Sequence, residues 1–326
     1  MIIDSIETVN KYLRTNSTLQ LESIQPFIQD AIDQYLKPYA GEQLVNDVSA
    51  YASDEQPSNE FLALSENNQN VLLWHSQAIV SRFAFFLGAP SLDLQITESG
   101  FAVTSNNNLA PASKDRVQNF INSIEKLGWT SIEMFLKFLD EHKASLSAYH
   151  EVYPITAYGN EYDLFVNSAL DFDKYFKIEK SRLFFQKVQP VIQTAEQLYI
   201  EPALSVDLCE TFKQEVKDGS ILPRTRAILP LIKKAVIYFT VSEDLYSFFP
   251  KIMLEHTYTE LWKAFVYDEK KKYMELGKMY ISLAKNYILD HKDDYPEFVT
   301  SSVYEDVTGR INIYENNETD KFYTFQ

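Results

Sequence analysis

Hydrophobic residues recur along much of the chain at the spacing of an α-helix. Apolar residues at i, i+3, i+4 and i+7 mark residues 117–124, and a similar series runs through residues 276–288. This spacing places one apolar stripe along one side of a helix. Thr130 and Glu133 have the spacing of a capping box, which predicts that a new helix begins at Ser131.

Two segments are more apolar than a surface helix requires. His75 and Arg82 interrupt the first, residues 71–89, and a pair of lysines interrupts the second, residues 227–239. Neither contains the run of about 18 apolar residues that is typical of a membrane span. We therefore expect two buried core helices and no association with a membrane.

One short region has the pattern of β-strands. Leu94 and Ile96 alternate with polar residues, and Gly100 can supply a turn before Phe101. An alternation with a period of two is typical of a half-buried strand. The sequence predicts a β-hairpin near residues 92–104 that projects from the helical body.

The chain contains an internal similarity. Residues 25–44 resemble residues 189–208 at a constant offset, so that Tyr35 matches Tyr199 and Pro38 matches Pro202. Eight of the twenty positions are identical, where chance would give about one or two. We interpret this as an internal duplication, and two unrelated helical domains with a chance match are the alternative.

These patterns together predict a mainly α fold made of two related helical modules. The first module covers residues 1–144 and carries the hairpin. A connection follows at residues 145–178, then the second module at residues 179–294 and an extended C-terminal tail at residues 295–326.

The net charge of the chain limits its possible partners. The 46 acidic residues outnumber the 30 basic ones, which gives a formal net charge of −16. Such a balance opposes long-range attraction to the phosphate backbone of nucleic acids. The lysine run at residues 270–272 is followed and preceded by acidic residues, so we interpret it as a solvated helix face. We expect no sequence-specific binding of nucleic acid.

Residues that usually carry catalysis or bind metals are scattered. No two histidines have the i, i+4 spacing of a helical zinc site, and no glycine-rich loop could hold a phosphate. Cys209 has apolar neighbours and is interpreted as a core residue, as is His75, which we expect to be hydrogen-bonded. His142 and His291 are placed at helix C-termini, where the helix dipole favours them.

The acidic clusters around Asp171 and Asp290 lack the spacing of a calcium loop, and we expect them on the solvated surface. The sequence thus predicts no catalytic residue, no metal ligand, no bound cofactor and no enzyme.

Aromatic residues near the C-terminus are unusual for a free tail, because disordered termini are generally poor in them. Either the tail folds back on its own body or it docks on a neighbouring subunit. We predict that the tail and the hairpin form protein interfaces through Leu94, Ile96, Phe101, Val103, Tyr314, Phe322, Tyr323 and Phe325.

Two groups of motifs carry a family resemblance. One comprises Ile-Gln-Asp-Ala at residues 28–31, Tyr-Leu-Lys-Pro at 35–38 and Gly-Glu-Gln-Leu at 41–44. The other comprises residues 94–101, Ala-Pro-Ala-Ser at 110–113, and Arg116 with Val117. In these the chain resembles an uncharacterised protein family of Bacteroidetes and their phages and prophages, whose genes tend to lie among virion structural genes.

The resemblance implies a structural role near the phage neck, as a head–tail connector, adaptor or ring component. It also implies a homo-oligomeric ring that contacts virion proteins such as the portal or tail components, and that lines a DNA channel as one option. The location would be the virion, and the host cytoplasm during assembly. The alternatives are a soluble acidic adaptor for a basic protein partner and an enzyme with a carboxylate or metal site.

Overall fold

The computed structural model describes residues 1–13, 20–91, 94–97, 100–103, 113–152, 163–249 and 260–304. The chain divides into two compact units, Met1–Glu161 and Tyr162–Gln326. Helices dominate the described residues of both units, which confirms the predicted mainly α fold.

The first unit is built around two long helices. Its helices are α1 (Ile6–Asn10), α2 (Gln25–Ala31), α3 (Lys37–Ala40), α4 (Glu42–Ala52), α5 (Asn59–Leu62), α6 (Glu66–Gly88), α7 (Lys114–Glu141) and α8 (Ser147–Val152). A π-helical turn at Ile32–Leu36 joins α2 to α3, and 3₁₀ turns lie at Leu21–Ser23 and Ala89–Ser91.

Helix α6 is the apolar helix predicted at residues 71–89. It is long and apolar enough to cross a membrane by length and composition alone, but 56% of its most apolar window is buried inside the protein. Its buried face includes Leu72, Ile79 and Phe83. The prediction of a core helix is confirmed at this position.

Two short strands separate α6 from α7. The strands β1 (Leu94–Thr97) and β2 (Gly100–Val103) pair antiparallel, with Leu94 opposite Val103 and Ile96 opposite Phe101. In such a ribbon, directly opposed residues occupy the same face and alternate residues return to it. The four predicted interface positions of this region therefore share one face of the ribbon.

The second unit repeats the use of two long helices. Its helices are α9 (Ala169–Asp173), α10 (Arg182–Ala195), α11 (Glu201–Leu204), α12 (Val206–Lys217), α13 (Pro223–Glu243), α14 (Leu245–Phe248), α15 (Glu260–Asp290) and α16 (Pro296–Val299). A π-helical turn at Glu196–Ile200 joins α10 to α11, and a 3₁₀ turn lies at Lys292–Asp294. The core of this unit is centred on α13, as the apolar pattern at residues 227–239 predicts.

The two long helices of each unit meet at a glycine. In the first unit the ring of Phe83 lies between the ring of Tyr35, stacked at a centroid distance of 3.7 Å, and the backbone at Gly128. In the second unit the ring of Phe239 lies between Tyr199, stacked at 4.2 Å, and Gly277. A side chain on either glycine would occupy the space of the ring.

A proline follows a π-helical turn in both units. In a continuous α-helix, a proline lacks the N–H donor and its ring clashes with the carbonyl four residues earlier. Ahead of Pro38, the N–H of Lys37 donates to the carbonyl of Ile32, five residues earlier, and ahead of Pro202 the N–H of Glu201 donates to Glu196. The wider turn thus carries the chain from one short helix into the next.

The next turn has the same backbone conformation in both units but a different residue. Gly41 has φ 78° and ψ 160°, and Ser205 has φ 76° and ψ 150°. Positive φ is ordinary for glycine and strained for serine. The Oγ of Ser205 accepts a hydrogen bond of 3.4 Å from the N–H of Leu208 and caps α12, which offsets part of that strain.

The predicted helix start at Ser131 is wrong. Helix α7 runs without a break from Lys114 to Glu141. The Thr130 hydroxyl donates to the carbonyl of Lys126 at 2.9 Å inside the helix instead of capping a new one. Serine and threonine make this bond to the preceding turn when the helix continues, and the sequence pattern alone does not exclude it.

The boundary between the two units lies inside the predicted connection at residues 145–178, and parts of that connection and of the predicted tail at residues 295–326 pack in the core of the second unit. Phe165, Val166 and Phe172 are buried in the core of the second unit, as are Tyr295 and Phe298. These aromatic and aliphatic side chains come from segments without helical periodicity and pack in that core. The unit boundary therefore lies at residues 161 and 162, and the described part of the predicted tail, to Tyr304, belongs to the second unit.

Candidate interaction surface

One face of α7 exposes large apolar side chains along the whole helix. Phe120 is 47% exposed, Leu127 44% and Met134 51%. These residues are seven apart, which places them in one line along a helix because seven residues make nearly two turns. Isolated exposed apolar residues are common, and an aligned series of this kind is a candidate for an interaction surface.

Small polar residues complete a heptad pattern on this face. Ser123 and Thr130 lie between the three apolar residues and are exposed as well. The spacing alternates between three and four residues, which is the pattern of helices that pack side by side. Arg116 lies at one end of the same line, and Lys137 and Glu141 lie at the other end, where they form an ion pair of 3.7 Å. We call this surface, from Arg116 to Glu141, the heptad face of α7.

The opposite side of α7 explains why the heptad face remains outside the core. Ile124, Ile132, Phe135 and Leu139 are buried within the first unit. The stripe that the sequence predicts at residues 117–124 is therefore split, since Ile124 is buried while Val117 and Phe120 are exposed.

The residues predicted from sequence as interface residues are only partly described. The backbone of Leu94, Ile96, Phe101 and Val103 forms the paired strands, but their side chains lie outside the described residues. Tyr314, Phe322, Tyr323 and Phe325 lie outside the described residues altogether. Sequence reasoning missed the heptad face, although the seven-residue spacing of Phe120, Leu127 and Met134 could have indicated it.

The second unit contains a buried ion pair at the start of its π-helical turn. The Glu196 carboxylate is fully buried, lies 2.8 Å from Nζ of Lys213 and accepts a hydrogen bond of 2.8 Å from the N–H of Phe165. Burial raises the pKa of Glu196 to about 7, although Lys213 and the Phe165 N–H oppose that shift. Burial lowers the pKa of Lys213, but the charges of Glu196 and Glu201 outweigh it and leave the pKa raised.

Cys209 lies near this pair and is buried, as its apolar neighbours predict. Burial raises the pKa of its thiol, so that the thiol stays protonated at neutral pH. A buried, protonated thiol is a poor nucleophile. The ion pair of Glu196 with Lys213 and the hydrogen bond from Phe165 hold the turn Glu196–Ile200 against Phe165 and α12. The role of these residues is structural.

In the acidic cluster around Asp171, Asp163 is exposed as expected, but the expected surface position is wrong for Asp171 and Asp173. Asp171 and Asp173 are 7% and 4% exposed. Asp171 forms an ion pair with Lys233 and another, at 3.1 Å, with Lys174. Buried carboxylates need such partners, and partners at a distance in sequence cannot be recognised from composition.

Asp173 organises the turn that precedes α10. It accepts hydrogen bonds from the N–H groups of Ile178 and Lys180, at 2.9 and 3.1 Å, and pairs with Lys177 at 2.9 Å. The bond from Lys177, together with the two backbone N–H groups, lowers the pKa of Asp173 to about 2. Lys180 and its neighbour Glu179 have positive φ, and the carboxylate holds this unusual turn in place.

An arginine fastens the segment after α15 to the rest of the second unit. Arg224 makes a bidentate pair with Glu297, at 2.9 and 3.1 Å, and also donates to the carbonyl of Asp294. The Tyr295 hydroxyl donates to the carbonyl of Arg224 at 2.9 Å. Burial opposes ionisation of Glu297, but the bonds from Arg224 outweigh it and lower its pKa.

The histidines lie where the sequence predicts them, but one of them, His75, lacks an expected hydrogen bond. His142 and His291 end the long helices, each with Nδ1 2.9 Å from the carbonyl oxygen four residues earlier. His75 is a core residue, but its Nδ1 has no hydrogen-bond partner among the residues that the structure describes, so the expected hydrogen bond is not found at that atom. Burial lowers the pKa of His75 to about 4.

Two open grooves occur in the described part of the chain. One of about 610 Å³ lies beside Tyr51, Asp54 and Glu55 in the first unit. The other, of about 360 Å³, lies in the second unit, and its lining includes Phe176, Phe184 and Phe248 together with polar residues such as Lys177 and Glu179. Within the described ranges, no three His, Cys, Asp or Glu side chains are grouped so that they could hold a metal ion.

A known family matches part of the chain. Residues 36–158 match the model of a family of unknown function (DUF6712), which covers a little over a third of the chain. The matched region includes α4, α6 and α7, and so includes the heptad face. Neither the curated proteins nor the solved structures contain a significant match.

Proposed function

We propose that the protein is a structural component of a bacteriophage particle, in the position of a head–tail connector, adaptor or neck ring. In this role it acts by protein–protein contacts in a homo-oligomeric ring and beside portal or tail components. It carries out no catalysis and needs no cofactor. It resides in the virion, and in the host cytoplasm during assembly.

The observation that carries this proposal is the heptad face of α7. Phe120, Leu127 and Met134 are about half exposed on a helix whose other side is anchored in the core. A rigid helix that presents an aligned apolar series is suited to permanent contacts, because little conformational entropy is lost when it binds. The sequence resemblance at residues 28–44 and 94–117 supplies the virion context.

The hairpin and the C-terminal segment extend the proposal to further contacts. The shared ribbon face of Leu94, Ile96, Phe101 and Val103 and the aromatic residues Tyr314, Phe322, Tyr323 and Phe325 would meet neighbouring subunits. In a ring, each subunit uses two different surfaces, and the rotation between subunits closes the assembly. A net charge of −16 would limit the adhesion of packaged DNA to a channel wall.

The proposal includes an internal duplication as the origin of the two units. Its support is the repeated arrangement of a tyrosine stacked on a phenylalanine that lies against a glycine, at Tyr35, Phe83 and Gly128 and again at Tyr199, Phe239 and Gly277. The π-helical turn, the proline and the residue with positive φ that follow are further support.

Light scattering and electron microscopy of the purified full chain test the assembly. The proposal predicts a discrete oligomer, or a ring that forms as the concentration rises. A chain that remains monomeric at high concentration, and that is absent from purified particles, contradicts it.

An acidic adaptor for a basic protein partner is the second candidate. The first unit contains 20 acidic and nine basic residues, so that most of the excess negative charge lies there. A pull-down that recovers one basic host protein, and that loses it at raised salt concentration, would favour this function over a virion role.

A further inference from the structure

An open aromatic groove lies at one end of the central helix of the second unit. Phe248, just beyond the end of α13, packs its ring against the rings of Phe176 and Phe184 at centroid distances of 5.3 and 5.0 Å. All three rings are half-buried and line the groove of about 360 Å³. Pockets that bind small ligands begin at about 300 Å³, so this groove is large enough for an aromatic side chain of a partner.

Basic residues surround this groove, although the chain as a whole is acidic. Residues 174–187 contain five basic residues and one acidic residue, Glu179, whereas the net charge of the chain is −16. Lys180 and Lys187 are exposed and form no ion pair with any residue that the structure describes. They lie four residues before and three residues after Phe184, which lines the groove. Their charges are therefore available to a partner that carries acidic residues.

Most acidic residues beside the groove are already held within the unit. Asp173 pairs with Lys177 at 2.9 Å and accepts two backbone hydrogen bonds. Asp244 accepts a backbone hydrogen bond of 3.3 Å at the start of α14, and Glu243 accepts one of 2.6 Å from a tyrosine hydroxyl. Among the described residues that line the groove, Glu179 is the remaining acid, and the two exposed lysines outnumber it.

The C-terminal segment of the chain has the complementary composition. Residues 305–326 contain five acidic residues and two basic ones. The aromatic residues of this segment are Tyr314, Phe322, Tyr323 and Phe325. We propose that the C-terminal segment of one copy binds the aromatic groove of a second copy. Its aromatic side chains enter the groove, and its acidic residues meet Lys180 and Lys187. This inference rests on the proposed self-assembly and names one of its contacts.

The described chain ends far from the groove of its own unit. Tyr304 packs on Phe298 at a centroid distance of 5.9 Å. Nearby in the chain, the hydroxyl of Tyr295 donates to the carbonyl of Arg224, the second residue of α13. The groove lies beyond Glu243, the last residue of α13, about 30 Å away along this helix.

This separation suits a contact between neighbouring copies. Residues 305–322 span up to about 60 Å when extended, which is enough to reach the groove of a neighbour. The segment and the groove are two different surfaces, so the contact is head-to-tail, and a contact of this kind closes a ring when the rotation between copies allows it.

Two variants of the full chain test the exchange together. Ser247→Trp fills the groove with a large ring, because Ser247 lines it. The second variant, called the segment variant, replaces Phe322, Tyr323 and Phe325 by alanine. Sedimentation velocity should show each variant alone as a monomer. The mixture should form a complex of two copies, because the segment variant has an open groove and Ser247→Trp has an intact C-terminal segment.

Matched substitutions control for changes of the surface. Ser220→Trp adds the same ring at an exposed position near the other end of α13 and should assemble like the wild type. Lys180→Glu with Lys187→Glu should raise the concentration needed for half-assembly about fivefold or more at low salt. Lys270→Glu with Lys271→Glu reverses two exposed lysines elsewhere in the unit and should change it less than about twofold. Circular dichroism checks that each variant keeps its helix content.

The remaining outcomes overturn this contact without deciding the virion role. If the segment variant assembles like the wild type, the groove has another occupant, such as residues 250–259 or a different protein. If the mixed variants stay monomeric, the segment and the groove do not meet between copies. A monomeric wild type also overturns the inference. Absence from phage particles contradicts the virion role whatever the variants do.

Discussion

The ring of Phe83 lies directly against the backbone of Gly128, where an added Cβ would come within 2.7 Å of the ring. Gly277 stands in the same relation to Phe239, with a distance of 2.6 Å. These two contacts set how closely the long helices of each unit approach.

Replacement of Gly128 by alanine should therefore destabilise the protein. Alanine is ordinarily the better helix former by about 1 kcal/mol, but overpacking against a rigid ring costs about 1–3 kcal/mol. We expect a net loss in the free energy of unfolding, measured by urea denaturation, for Gly128→Ala and Gly277→Ala.

A control and a rescue accompany this prediction. Asn119→Ala, at an exposed position of the same helix, should leave stability nearly unchanged. Phe83→Leu should destabilise the wild type but recover part of the loss in Gly128→Ala, because it vacates the space. Additive losses in the double variant would contradict the contact.

The buried Glu196 should make stability depend on pH. Its pKa is about 7 in the folded state against 4.5 in the unfolded chain. The folded state therefore retains a proton that the unfolded state has released. The stability that this proton contributes is fully present below pH 4.5 and is lost as the pH rises to about 7. Above that value the stability no longer changes with the ionisation of Glu196.

Glu196→Gln isolates this effect, because an amide does not titrate. Relative to the variant, the wild type should lose on the order of 3 kcal/mol of unfolding free energy as the pH rises from 4.5 to 7. Taking the difference removes His75, whose lowered pKa acts with the opposite sign. A difference that does not change with pH contradicts the assignment.

The turns at Gly41 and Ser205 offer a reciprocal pair of substitutions. Ser205→Gly relieves the strain of a positive φ, which stabilises the protein by about 1–2 kcal/mol. It also removes the helix cap of the serine, but glycine at this position costs only about a few tenths of a kcal/mol. It should raise the thermal midpoint. Gly41→Ser should lower it, since φ is 78° there. Thermal midpoints equal to that of the wild type in both variants would show that neither backbone is strained.

The sequence predicted those parts of the fold that depend on local periodicity. The apolar helices α6 and α13 and the helix ends at His142 and His291 follow from spacing alone. The continuity of α7 through Thr130 does not, because a threonine hydroxyl can cap a new helix or bond to the preceding turn of a continuing one, as Thr130 does with the carbonyl of Lys126.

Long-range contacts account for most of what the sequence could not predict. Asp171 looks like a surface acid until Lys233, 62 residues later, is brought to it. Phe165 and Tyr295 lie outside any periodic segment, and only the assembled core shows that they belong to it. The heptad face was missed for a different reason: the seven-residue spacing indicates an aligned stripe, but it does not show whether that stripe is buried or exposed.

Truncation separates the described end of the chain from the residues beyond it. Deletion of residues 310–326 should leave the helix content and thermal midpoint of the protein unchanged while it abolishes assembly. Deletion from Tyr295 onward removes Tyr295 and Phe298, both fully buried, and should unfold the second unit. Circular dichroism and light scattering measure the two effects. Unfolding by the shorter deletion would place residues 310–326 in the core.

We propose that the chain is a structural part of a phage particle. Quantitative mass spectrometry of purified particles, from cells in which the phage or prophage that encodes the chain is induced, tests it most directly. We expect the chain to co-purify with particles at a fixed ratio of a few to a few tens of copies per particle. A chain that is abundant in the lysate but absent from the particles would contradict the claim.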